Sequence, residues 1–173
     1  MLETLRRSPR RSLATLVTVL AAGGVVAGSG ADFSSQTANA GNLVTSGTLT
    51  QTNSRDGVAI VTGANLKPGD TSTGTVKITN TGSLAGTFSL AELNASNGFA
   101  AGSLSLKIED VTSATPTTVY AGEFQSAGTK ALGTFAPGEA RTYKLTVTLA
   151  SAAGNGDQGK SATAGFQFTA TQS

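Results

Sequence analysis

The stretch YKLTVTL, residues 143–149, alternates apolar and polar side chains without interruption. Successive side chains of an extended chain point to opposite sides, so the apolar members of this stretch share one face. These members are Tyr143, Leu145, Val147 and Leu149. A period of two over this length predicts a β-strand with one face in a core and the other in water.

The same period recurs in three further segments. The alternating apolar residues are Val76 and Ile78 in the first, Leu104, Leu106 and Ile108 in the second, and Phe166 and Phe168 in the third. Short alternating strands separated by turn signals predict an all-β sandwich or barrel with little helix. Residues 89–95 and 121–127 are candidates for a single helical turn each.

Two Pro-Gly turns precede strands in the same way. LKPGDTSTGTVKIT, residues 66–79, and FAPGEARTYKLTV, residues 135–147, share an apolar residue, a Pro-Gly-acidic step and an alternating strand. Proline sets φ at the first central position of a turn and glycine accepts a positive φ at the second, so both steps predict type II turns. We interpret the pair as one local device used twice rather than as a duplicated domain.

The N-terminal segment has the composition of a secretory leader. Its four arginines precede an apolar run at residues 13–27, and Ser29 and Ala31 suit the −3 and −1 positions of a signal-peptidase site. We therefore predict a signal peptide at residues 1–31 and a secreted, extracellular protein. The alternative is a retained membrane anchor, but a spanning helix needs about 20 apolar residues, and this run is shorter and contains Thr and Gly.

The charge of the chain beyond the leader is close to balanced. From Asp32 onward there are eight Lys or Arg and nine Asp or Glu, so the net charge is 8 − 9 = −1, with no cluster of either sign. This distribution argues against nucleic acid or an anionic membrane surface as a partner. Contact with the membrane is expected only through the uncleaved leader.

The chain contains neither His nor Cys. The usual zinc sites, Ser-His-Asp triads and thiolate nucleophiles are therefore excluded. We predict no catalytic residue, no metal site, no cofactor and no enzymatic activity. The adjacent carboxylates Glu109 and Asp110 point to opposite faces of a strand, which favours a solvated strand end over an acid-base pair.

The stretch GNGDQGKS, residues 154–161, fits the phosphate-binding pattern G-x-x-x-x-G-K-[ST]. Such a loop follows a buried parallel strand and opens a helix. Here both flanking segments alternate like half-exposed strands, and no helical pattern follows. The sequence therefore predicts a flexible hairpin loop between the last two strands, with no phosphate for Lys160 to bind.

Four segments resemble the TasA/camelysin family of exported proteins, which includes fibre subunits of bacterial biofilm matrices. They are ADFSSQT at 31–37, LVTSGTLTQT at 43–52, VTGANLKPGDTSTGTVKITNTGSLAGTFSL at 61–90 and QGKSATAGFQFTATQ at 158–172. The middle of the chain is more generic. This chain lacks the long charged insertions of larger members, and without His it lacks the metal ligands of relatives described as metallopeptidases.

The resemblance implies a jelly-roll-like antiparallel β-sandwich at residues 51–173, preceded by an extended N-terminal arm at residues 32–50. The resemblance also implies assembly into a head-to-tail homopolymer, in which the arm completes the sheet of a neighbouring copy. Other matrix or cell-surface components are further candidate partners. The apolar residues of the arm are Phe33, Leu43, Val44 and Leu49. The alternative is a monomeric adhesin or carbohydrate-binding sandwich. Such a protein needs an exposed aromatic platform, and a chain with no Trp and only two Tyr argues weakly against one. A peptidase is the least favoured interpretation.

Overall fold

The computed structural model describes residues 45–172. These residues form two antiparallel sheets that pack together, so the predicted all-β sandwich is confirmed. The first sheet has the strand order β1-β2-β7-β4-β5 and the second has the order β6-β3-β8. The strands are β1 Gln51–Asn53, β2 Thr71–Asn80, β3 Gly86–Asn97, β4 Leu104–Asp110, β5 Thr117–Glu123, β6 Thr129–Phe135, β7 Ala140–Leu149 and β8 Ala162–Gln172.

The core lies between the two sheets and contains the apolar face of each alternating strand. Phe88 of β3 and Phe135 of β6 stack with their ring centroids 4.1 Å apart, and both are fully buried. Tyr143 of β7 packs from the other sheet, 6.0 Å from the ring of Phe168. Its burial raises the pKa of the Tyr143 hydroxyl to about 12. Each large side chain buried in this way contributes about 1.5–3 kcal/mol to folding.

The alternating residues predicted to face the core do so. Val76, Ile78, Leu104, Leu106, Ile108, Leu145, Leu149 and Phe168 are buried, and Val147 and Phe166 are half-buried. The two half-buried side chains belong to neighbouring parts of one cleft. The period of two therefore predicted the inward face correctly and left undetermined how completely each residue is covered.

Both Pro-Gly steps form the predicted type II turns. Gly69 and Gly138 have φ of +93° and +77°, and the fourth residue of each turn donates its N–H to the carbonyl of the first at 2.9 and 3.0 Å. In each turn the carboxylate of that fourth residue accepts the N–H of the first, at 2.9 Å for Asp70 and 2.8 Å for Glu139. The interpretation as one device used twice is confirmed.

Two sequence-based expectations are wrong. Residues 89–95 lie within β3, and residues 121–127 form the end of β5 and the turn after it. Neither is helical, because β3 is paired on both sides, with β6 and β8, and residues 121–123 are paired with β4. These ladders satisfy more backbone groups than one helical turn would. The only helical element within residues 45–172 is the 3-10 turn Asn155–Asp157.

The predicted hairpin between the last two strands is also wrong. β7 belongs to the five-stranded sheet and β8 to the three-stranded sheet, so residues 150–161 cross from one sheet to the other. Sequence reasoning paired these strands because they are consecutive, which is the commonest arrangement of neighbouring strands. Here β7 pairs with β2 and β4, and β8 pairs with β3.

Candidate functional site

An edge strand presents unpaired N–H and C=O groups that can pair with another chain, unless the protein covers them. The strands at the ends of the two sheets are β1, β5, β6 and β8. The state of these four edges identifies the surface at which residues 45–172 can accept a further strand.

The second half of the β6 edge is covered by a side chain from the opposite sheet. Arg141 of β7 donates from Nη1 to the carbonyl of Leu132 at 2.6 Å and from Nη2 to that of Thr134 at 2.9 Å. Glu139 holds the guanidinium in place through a 2.7 Å bond to Nε. The N–H of Ala136 and then Arg141 lower the pKa of this carboxyl. The guanidinium of Arg141 thus binds two backbone carbonyls that an added strand would need as acceptors.

The end of the β5 edge is occupied by the strand's own tyrosine. The hydroxyl of Tyr120 donates to the carbonyl of Glu123 at 2.7 Å. The ring of Tyr120 lies against Gly122 on one side, and the ammonium of Lys130 stands 5.3 Å from its centroid. Pro116, directly before the strand, has no N–H to offer.

The free side of β2 is covered by residues 54–66, here called the cover segment. β1 pairs only with residues 78–80 of β2, and the cover segment takes over beyond it. Ser54 donates its N–H to the carbonyl of Lys77 at 3.0 Å, and Arg55 donates from Nε to that of Thr75 at 3.3 Å. Farther along, the carbonyl of Ile60 approaches so closely that only a glycine fits at position 74.

The β8 edge is covered over only part of its length. Gln51 donates from Nε2 to the carbonyl of Phe168 at 2.8 Å, so the backbone of Phe168 faces away from β3. Because backbone groups alternate in direction along a strand, those of Ala162, Ala164 and Phe166 face outward as well. Within residues 45–172 no hydrogen bond reaches these outward groups. Residues 162–166 are here called the open stretch.

A cleft of about 750 Å³ lies along the open stretch. On one side it is bounded by the small side chains of Ala162 and Ala164 and by Phe166, and on the other by residues 61–66 of the cover segment. Its floor is formed by apolar residues that belong to the main core or pack against it: Leu104, Leu106, Phe124, Leu145, Val147 and Leu149. The open stretch therefore combines free backbone groups with an adjoining apolar recess.

The glycine-rich loop forms one end of this cleft and is fixed to the sandwich. Asp157 is buried, and its carboxylate accepts the N–H of Ala100 at 2.8 Å and the hydroxyl of Ser103 at 2.9 Å. The hydrogen bond from Ala100 is the main cause of a lowered pKa of the Asp157 carboxyl, and the hydrogen bond from Ser103 lowers it further. The loop is thus not the flexible connection that the sequence predicted. Its aspartate binds backbone, and the exposed Lys160 follows a 3-10 turn rather than opening a long helix.

The lowered pKa of Asp157 leads to a prediction about how the stability of the fold depends on pH. A carboxyl with a depressed folded-state pKa contributes stability that is present above its unfolded pKa, near 3.9, and is lost as the pH falls through the folded value. We expect Asp157→Asn to lower Tm at pH 7 and to have a shrinking effect below about pH 4. The measurement is the Tm difference between wild type and variant from pH 7 to pH 2.

Ser103→Ala serves as the companion variant, because it removes one of the two hydrogen bonds to Asp157 and leaves the carboxyl in place. Its Tm difference from wild type should also narrow in acid and should be smaller than that of Asp157→Asn at pH 7. A Tm difference for Asp157→Asn that stays constant down to pH 2 would contradict this account of the loop.

Of the sequence-predicted arm residues, only Leu49 lies within the described part of the chain. Its side chain is half-buried and contacts Gly86 at the start of β3. Next to it, the carbonyl of Thr48 accepts the N–H groups of Ser83 and Leu84, at 2.9 and 3.1 Å. Residues 48–50 are therefore attached to the turn between β2 and β3 of their own sandwich. Phe33, Leu43 and Val44, and the cleavage-site residues Ser29 and Ala31, lie outside the described residues.

The carboxylates considered for catalysis have structural partners. Glu109 forms an ion pair with Lys107 at 2.6 Å, and Asp110 accepts the N–H of Thr112 at 2.9 Å in a turn after β4. Among residues 45–172 no group of acidic side chains is arranged to hold a metal ion. In the same range, no helix has the length and apolar character that a membrane span requires.

Sequence reasoning did not identify the open stretch, because alternation shows which face of a strand is buried and not which strand lies at an edge. One signal was present: ATAGFQF, residues 162–168, places alanine at two inward positions and phenylalanine at the next two.

No protein-family model matches this chain. No curated protein matches it either.

Proposed function

We propose that this protein is a secreted structural subunit that assembles into extracellular matrix or surface fibres by receiving an N-terminal strand from a neighbouring copy at β8. The observation that carries the proposal is the open stretch. It is an uncovered length of sheet edge that adjoins an apolar cleft, whereas Arg141, Tyr120 and the cover segment each occupy backbone groups on part of the other edges. The motif resemblance to fibre subunits of the TasA/camelysin family supports the same function.

The open stretch has the chemistry that strand addition uses. Ala162, Ala164 and Phe166 each offer one N–H and one C=O, and an added strand gains main-chain hydrogen bonds there while its alternate side chains enter the cleft. Each such bond contributes about 0.5–1.5 kcal/mol net. The candidate donor, residues 32–44, has no charged residue after Asp32 and contains Phe33, Leu43 and Val44. An uncharged segment with spaced apolar residues suits an apolar recess.

The two partners of this contact lie at opposite ends of β8. Leu49, at the root of the arm, contacts Gly86, which pairs with Gln172 at the end of β8, whereas the open stretch lies at the beginning of the strand. A donor surface and an acceptor surface on different parts of one subunit make a heterologous contact. Repetition of such a contact without ring closure produces a filament.

The test is electron microscopy of the chain beginning at Asp32 at increasing concentration, beside the same chain lacking residues 32–44. Wild type is expected to form fibres above a critical concentration. The truncated chain keeps Thr48–Thr50 and every described strand, and is therefore expected to stay a folded monomer. Circular dichroism and sedimentation report its fold and mass. Fibres of unchanged appearance from the truncated chain, or a wild type that stays monomeric throughout, would refute the proposal.

A further inference from the structure

We propose that Ala162 and Ala164 keep open a pocket for one large side chain of the incoming strand, and that this side chain is Phe33 of a second copy. The inference rests on the proposed function and deepens it, since it names the residues that recognise the donor. It assigns to two alanines a role in specificity that an alternating strand pattern does not suggest.

The first step is the direction of the β8 side chains. Phe168 is buried and Phe166 half-buried, so the inward positions of β8 continue through Ala164 and Ala162. Phe168 fills the space between the sheets at its level, and Phe166 borders the cleft. The two alanines leave space beside them, and the cleft of about 750 Å³ lies where they stand.

The second step is the lining of this space. Leu66 of the cover segment, Phe99 of the loop after β3, and Val147 and Leu149 of β7 contribute apolar surface. The carboxylate of Asp157 at one end is already bound to Ala100 and Ser103. Lys160 and several polar residues also border the cleft, so its apolar part is what suits an apolar side chain, and burying that part removes apolar surface from water.

The third step is the choice of occupant. A strand that pairs with the outward groups of β8 points every second side chain into the cleft. Residues 32–50 contain one aromatic residue, Phe33, and an aromatic side chain buries roughly 150–250 Å² on its own, the largest apolar area available to the arm. The same chain's arm would have to run parallel to β8 from its root at Leu49, whereas the arm of a second copy can approach in either direction.

The test uses a fluorescent peptide of residues 32–44 and the chain of residues 45–173, which contains every described strand and core residue. We expect saturable binding by fluorescence anisotropy. Binding is expected to fall at least 10-fold for the Phe33→Ala peptide and less for the Phe33→Leu peptide. On the protein side, Ala164→Leu fills the pocket from within and is expected to weaken binding at least 10-fold while Tm stays equal or rises.

Thr163→Leu is the matched control, since it adds an apolar side chain of the same kind to the exposed face of the same strand. It is expected to bind the peptide like wild type. Equal binding by wild type and Ala164→Leu, equal binding of the wild-type and Phe33→Ala peptides, or no binding at all would overturn the pocket. Fibres from the full chain together with any of these results would leave the proposed function standing. Phe33-dependent peptide binding without fibres would support the pocket and refute the proposed function.

Discussion

Replacing Ala164 with proline is expected to give a folded monomer that no longer adds to a fibre. The N–H of Ala164 faces away from β3, so proline removes no hydrogen bond of the existing ladder, and edge strands tolerate proline at such positions. The substitution does remove a donor at the centre of the open stretch, and the pyrrolidine ring occupies the space that an incoming backbone would need. The two effects together should reduce the rate of elongation by roughly 100-fold or more.

The measurement is fibre growth by light scattering and electron microscopy, with Tm recorded for every variant. Gly165→Pro is the matched control, because Gly165 pairs with Leu93 and its backbone faces β3. We expect Gly165→Pro to lower Tm markedly, whereas Ala164→Pro should lower it by only a few degrees. Fibres of normal length and rate from a well-folded Ala164→Pro protein would show that β8 is not the acceptor.

Replacing Asn80 with alanine is expected to cause the largest loss of stability of any single change considered. Asn80 is fully buried at the end of β2, and its Nδ2 donates to the carbonyls of Leu84 at 2.8 Å and Phe135 at 3.1 Å. Its Oδ1 accepts the N–H of Gly82 at 3.0 Å. Truncation leaves these groups without a partner in a buried site, at a cost of about 3 kcal/mol, which corresponds to roughly 10 °C in Tm.

The comparison that isolates the buried network is Asn53→Ala. Asn53 also accepts one backbone N–H, from Arg55 at 2.8 Å, but in an exposed turn, so its replacement should cost about 1 kcal/mol or less. Asn80→Asp keeps the shape and places a carboxylate against two carbonyl oxygens, so it should cost at least as much as alanine at pH 7. Chemical denaturation gives the three free energies of unfolding. Equal losses at positions 53 and 80 would contradict the role given to Asn80.

The turn that Asn80 holds also carries the root of the arm. Thr48 and Thr50 bond to residues 81–84, so loosening this turn would also release residues 48–50. In the proposed fibre, this short segment between β2 and β3 would connect stability with assembly. The Asn80 variants should therefore be compared for fibre growth well below their melting temperatures, where loss of fold does not enter.

Under the proposed function, the partly covered edges would limit where a second copy can add a strand. Arg141 binds two outward carbonyls of β6, Tyr120 binds one of β5, and the cover segment follows β2. A chain that left all edges free would pair with its copies in several ways and aggregate laterally. In the proposed fibre, the open stretch with its adjoining cleft would be the preferred pairing site, which favours unbranched filaments.

The sequence by itself determined the all-β class, the inward faces of β2, β4, β7 and β8, and both Pro-Gly turns, because side-chain alternation and turn dihedrals are local properties of consecutive residues. It also excluded chemistry that needs His or Cys. Only the tertiary structure decided that β7 and β8 lie in different sheets, that Arg141 and Tyr120 cover edges, that Asp157 fixes the glycine-rich loop, and that the cleft lies beside Ala162 and Ala164. These features join residues up to more than one hundred positions apart, such as Gln51 and Phe168. They depend on which strands pair, and pairing is set by the packing of the whole chain rather than by any local pattern.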